Sequence, residues 1–199
     1  MRKDRLLAFS DGVFAIIITI MVLELKAPHD PSWPQLLKLG PVILSYILSF
    51  IYVAIYWNNH HHMLEPVQRI NGSTLWANMF LLFWLSLVPF ATAWMGETQF
   101  AQLPTALYGF VLLMPAIAYT ILQRTLIAAH PDNKLLASAV GADLKGKISL
   151  VLYASGIALA FLNPFLSLAL FGIVAIIWWI PDPRIEKAVT EEATKRRTI

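Results

Sequence analysis

The 199-residue chain contains no cysteine, so it has no disulfide framework, no thiolate metal ligand and no cysteine nucleophile. Charge is scarce too: Asp, Glu, Lys and Arg make up 14% of the residues, against roughly 25% in a soluble domain. There is no glycine-rich phosphate loop, no HExxH and no Ser, His and Asp grouping beyond chance, so the chain reads as a non-enzyme that implies no cofactor. What fills it is hydrocarbon, with 58% hydrophobic residues and a mean hydropathy of +0.64. This composition predicts an all-α, multi-pass protein whose mass lies in a lipid bilayer. The net charge of +3 is no sign of nucleic-acid binding, because its content lies in where the cations fall relative to the spans.

Six apolar runs follow one another. The first, Leu6 to Leu25, is closed by Lys26 and the proline-rich PHDPSWP loop, and its length argues against a cleaved signal. The second starts near Leu36 and reaches the polar cluster Asn58 to His62; the third spans Leu75 to Met95 and the fourth Leu103 to Ala129. Ile148 to Leu162 and Phe165 to Ile180 are split by Asn163-Pro164 and read as a short helical hairpin. Pro41, Pro89 and Pro115 are expected inside spans, as sources of kinks.

Six crossings place Arg2, Lys3, Arg5, Arg69, Arg124, Lys134, Lys145, Lys147, Arg184, Lys187, Lys195, Arg196 and Arg197 on one side, against Lys26 and Lys38 on the other. The positive-inside rule then makes both termini cytoplasmic. Trp33, Trp57, Trp76, Trp94, Trp178 and Trp179 fall near span ends, as interfacial indoles do. The expected organisation is a transmembrane unit over residues 1–183 and a charged cytoplasmic tail over 184–199.

The first run is where ionisable groups enter an apolar stretch, as RLLAFSDGVFAIIITI. A charge near hydrocarbon costs several kcal/mol unless it is paired or faces water, so Asp11 needs a reason. On a helical wheel Gly12, Ile16, Thr19, Ile20 and Leu23 lie within about 60 degrees of Ile16 and form one apolar stripe with one hydroxyl. Asp11 lies roughly 140 degrees and Ser10 about 120 degrees from it, so the acid does not share the stripe's face. Asp11 is either an ion site or a hydrogen-bonded brace; the second reading is favoured, with Arg5, Trp57, the histidines and Asn78 as partners.

His60, His61 and His62 invite a metal reading, yet three consecutive helical residues point in three directions and cannot all hold one ion. Hydrogen bonds from one or two of them to Asp11 or Ser10 are the better expectation. No metal is assigned.

Arg5-Leu-Leu-Ala-Phe9-Ser10-Asp11 matches the RxxxFSD signature of the lysosomal potassium channel family, transmembrane protein 175. YWNNHH at Tyr56 to His61 and WANMFLLFWLSLVPFATAW at Trp76 to Trp94 are similar to the second and third helices of that family. The chain also resembles its prokaryotic members in size. The resemblance implies a homotetrameric, weakly potassium-selective channel in the plasma membrane of a prokaryote, with the first helix of each subunit lining a central pore. It implies a constriction at Ile16, Ile20 and Leu23, with Thr19 as a hydroxyl layer, and K+ with other monovalent cations as permeant ions. Arg5, Phe9, Ser10 and Asp11 then read as the bracket of the pore helix, with Trp57, His60, His61 and Asn78 around it. The competing reading is a proton-coupled secondary transporter using Asp11 and His60 to His62 as a relay.

Overall fold

The structure, a computed structural model, describes residues 3–65, 67, 70–131 and 144–179. Arg2, Arg69, Lys134 and the tail 184–199 lie outside the described residues, as does the boundary after residue 183. The described residues form eight helices and no strand: α1 (Lys3–Leu23), α2 (Trp33–Lys38), α3 (Gly40–Leu64), α4 (Gly72–Leu85), α5 (Val88–Glu97), α6 (Gln102–Ala129), α7 (Leu144–Ala160) and α8 (Pro164–Trp179). Four segments are long and apolar enough to cross a bilayer: Lys3–Leu23, Gly40–Leu64, Gly72–Glu97 and Gln102–Ala129. The multi-pass expectation holds in this form.

Two predicted runs are each divided in the structure, and proline explains both breaks. The third run becomes α4 and α5 because Pro89, in the first turn of α5, has no N–H to offer the carbonyl of Leu85. Pro41 likewise starts α3 rather than sitting inside a span, leaving α2 as a separate short helix joined through Leu39. Of the three expected kink prolines only Pro115 is interior to its helix. Asn71 caps α4 by accepting from the Thr74 N–H at 2.8 Å.

Cross-helix contacts fix an up-and-down order. Lys3 Nζ donates to the Glu65 carbonyl and Trp57 meets Asp11, so α3 runs antiparallel to α1. His60 meets Asn78 and Ser49 meets Thr92, so α4 and α5 return along α3. α6 runs parallel to α3, as the pairs Ser49–Tyr108 and Asn59–Tyr119 show. Gln102 Nε2 donates to the Phe161 carbonyl at the start of α6, and Trp178 Nε1 reaches Ser149 at the end of α8, so α7 and α8 form an antiparallel hairpin against it. The first and last described residues therefore lie at the same end of the bundle.

The hairpin is held by shape. Phe171 of α8 is fully buried against Gly109 of α6 and Gly156 of α7; a Cβ at either glycine would lie 2.5 Å from its ring. Gly96 lets α5 approach the backbone of α3 as closely, since a Cβ there would sit 2.8 Å from Val42 Cα. Between these contacts runs a hydroxyl chain. Thr92 donates to the Val88 carbonyl at 2.7 Å, so its oxygen can only accept from Ser49, and Ser49 in turn accepts from Tyr108. Such pairing is what a dry helical interior demands of its polar groups.

Candidate functional site

α1 has two unlike faces. Leu6, Ser10, Phe14, Ile17 and Met21 are buried against α3, α4 and α5, following the spacing of one helical face. On the other side Ile16 is 58% exposed, Ile20 43% and Leu23 76%, with Thr19 exposed between them. Thr19 Oγ1 donates to the Ile16 carbonyl at 2.8 Å, which leaves its oxygen lone pairs outward on the stripe. A Cβ at Gly12 would meet nothing within 4 Å. The chain thus leaves an apolar stripe uncovered along the whole second half of its first helix.

α1 is pinned by two hydrogen-bond sets, the first buried and the second exposed. In the first, Asn78 Nδ2 donates to Ser10 Oγ at 3.1 Å, while Asn78 Oδ1 pairs with His60 Nε2 at 2.7 Å. An amide oxygen only accepts, so His60 carries a proton on Nε2. All three side chains are buried, and the Phe14 ring lies 5.8 Å from the imidazole. One amide thereby ties α1, α3 and α4 together. In the second set, Trp57 Nε1 donates to Asp11 Oδ1 at 2.9 Å, and the indole stacks on His61 with centroids 6.2 Å apart.

Trp57 is one of the partners expected for Asp11, whereas the direct histidine bonds expected to Asp11 or Ser10 are absent among the described residues. Asp11 takes Trp57 rather than a histidine, and Ser10 reaches His60 only through Asn78. The three histidines do diverge: His60 faces Asn78, His61 lies on Trp57, and His62 Nδ1 is 3.8 Å from Glu65 Oε2. Arg5 and Phe9 stand apart from both sets. Phe9 is 52% exposed and Arg5 is exposed with no hydrogen bond or ion pair among the described residues. On the wheel both fall within about 20 degrees of Ile16, in line with the open stripe. Of the four RxxxFSD residues expected to form a bracket, Ser10 and Asp11 make cross-helix hydrogen bonds among the described residues. Phe14, which the sequence reading passed over, belongs with them; its spacing of four from Ser10 is the signal that would have placed it there.

Comparisons with known proteins place the chain in a family. Residues 5–89 match the family model described as the endosomal/lysosomal potassium channel TMEM175. A potassium channel of Chryseobacterium sp. (strain P1-3) is 54% identical over 96% of this chain and 100% of its own length. A potassium channel of Streptomyces collinus is 30% identical, with 94% and 97% covered. The crystal structure of a lysosomal potassium-selective channel TMEM175 homologue from Chamaesiphon minutus superposes with a TM-score of 0.77 at 30% identity, covering 88% of this chain and 95% of that one. The chain belongs to the TMEM175 family.

Proposed function

We propose that the chain is a potassium-permeable, weakly selective cation channel that conducts passively through a homotetrameric pore lined by α1. The observation that carries this is the uncovered stripe of Ile16, Thr19, Ile20 and Leu23 on a helix whose opposite face is anchored by Ser10 and Asp11. Four copies of such a face enclose a path, and a ring of Ile16 side chains opposes a hydrated ion by dewetting, serving as gate and filter together. K+ sheds water more readily than Na+, so modest preference arises without a carbonyl cage, and Thr19 oxygens at the next layer replace part of the lost hydration. The family is one of ion channels and not of enzymes, and the bacterial relatives named above are called potassium channels.

Six crossings with both termini cytoplasmic suit the alternating order of α1, α3, α4 with α5, α6, α7 and α8, together with the one-sided Lys and Arg distribution. α7 and α8, at 17 and 16 residues, are about 26 and 24 Å long, and cross as a tight hairpin packed against longer neighbours or in bilayer that their own shortness thins. Residues 1–183 are then the channel and 184–199 a cytoplasmic tail, in the plasma membrane of a prokaryote. The proton relay gains no support, because Asp11 is held by Trp57 and His60 by Asn78.

Reconstitution into potassium-loaded liposomes tests the reading. Passive K+ flux that needs no proton gradient is expected, whereas flux that appears only with a gradient would establish a coupled transporter, and no flux would leave a non-conducting scaffold.

A further inference from the structure

We propose that a space between α3, α6, α7 and α8, apart from the α1 face, is a binding site for a small neutral alcohol. It measures about 30 Å³. At ~10–15 Å³ per water, that is room for two waters or for an alcohol of about two or three carbons. Its walls are the rings of Tyr52, Tyr56, Tyr119, Tyr153 and Trp178.

Most polar atoms around this space are already committed. Tyr52 donates to the Phe171 carbonyl, Tyr119 to the Asn59 carbonyl at 3.2 Å, Thr120 to the Ala116 carbonyl at 2.9 Å, and Trp178 to Ser149 at 2.8 Å. Two atoms are not. The Tyr56 hydroxyl has no hydrogen-bond partner among the described residues, and the residue is 9% exposed. Asn59 donates through Nδ2 to the Ile55 carbonyl, while its Oδ1 accepts nothing there. A free donor and a free acceptor therefore stand one turn apart on α3 beside an aromatic wall.

That pair suits a ligand that accepts and donates through one oxygen and carries a short apolar body. Among the described residues no Asp, Glu, Lys, Arg or His lines the space, so an ionised ligand would be desolvated there without a counter-charge. Neutrality follows. The occupant would rest on the stretch of α3 that also presents Trp57 and His60 to α1, which gives it a mechanical route to the pore helix.

Saturation-transfer NMR of n-propanol on the full chain in detergent reads this site directly, and because it reads binding it stands or falls separately from potassium conduction. Saturable transfer is expected, weakened about five-fold in Tyr56→Phe through the lost hydrogen bond and abolished in Ala116→Leu, whose side chain fills the space. Circular dichroism checks that both variants stay folded, and Tyr56→Phe alone decides the matter if Ala116→Leu does not. Transfer that never saturates, that is unchanged in Tyr56→Phe, or that is absent because only water occupies the space would overturn the proposal.

Discussion

Trp57 and Asp11, 46 positions apart, meet where α3 passes α1, and the indole Nε1 donates to the carboxylate Oδ1 at 2.9 Å. Removing the donor while keeping the ring's bulk isolates this bond. Trp57→Phe is expected to lower stability by about 1 kcal/mol, measured as thermal unfolding in detergent. Asp11→Asn keeps an acceptor and stays close to the parent, while Asp11→Ala loses the oligomer on size-exclusion chromatography. An intact Asp11→Ala oligomer with altered permeation alone would mean that the carboxylate serves the ion and not the helix.

Asn78 is the more heavily used residue, because it satisfies Ser10 and His60 at once. Asn78→Ala leaves two buried groups unpaired, at roughly 1–3 kcal/mol each. The double variant Asn78→Ala/His60→Ala should cost less than the sum of its singles, with a coupling on the order of 1 kcal/mol. Additive losses in a thermal-melt cycle would show that the two side chains do not act as one unit.

In the proposed pore, Ile16→Asn replaces an apolar ring by one that wets. Potassium flux into liposomes should rise several-fold and the K+ over Na+ preference should fall, read as a shift in reversal potential on planar bilayers. Thr19→Val keeps the width and removes the outward hydroxyl, so it should erode preference with little change in flux. Unchanged flux and reversal potential in both variants would take the pore away from this face.

Gly109→Ala and Gly156→Ala each push a methyl group into the Phe171 ring. Overpacking of this kind costs about 1–3 kcal/mol. Gly172→Ala, where a Cβ meets nothing within 4 Å, is the matched control and should melt with the parent. Equal melting of all three would remove the steric basis given for the hairpin's position.

Much of the fold is legible in the chain because a bilayer imposes long apolar runs, and the stripe on α1 is legible because helical periodicity is local. The brace was legible as a set of residues but not as a set of pairs. Whether Asp11 reaches Trp57 or a histidine depends on how α1 and α3 are rotated about their axes, which neither helix encodes alone. Arg5 and Phe9 show the opposite failing. Their angular position follows from the same wheel that places Ile16, whereas the motif groups them with Ser10 and Asp11 by adjacency in the chain alone. The breaks at Pro41 and Pro89 follow from the missing N–H of proline, whereas Pro115 leaves α6 continuous.

The Phe171 ring also bears on the order in which the bundle can be completed. Its binding faces are backbone, bare at Gly109 and Gly156, and its own carbonyl receives the Tyr52 hydroxyl from α3. A chain emerging from its N-terminus therefore carries an open notch along α6 until the last described helix arrives, and α8 locks three earlier helices in a single insertion. Truncation before residue 171 would leave that notch facing lipid. The last described helix is thus the wedge that closes the bundle, even though it lies far from α1 in sequence.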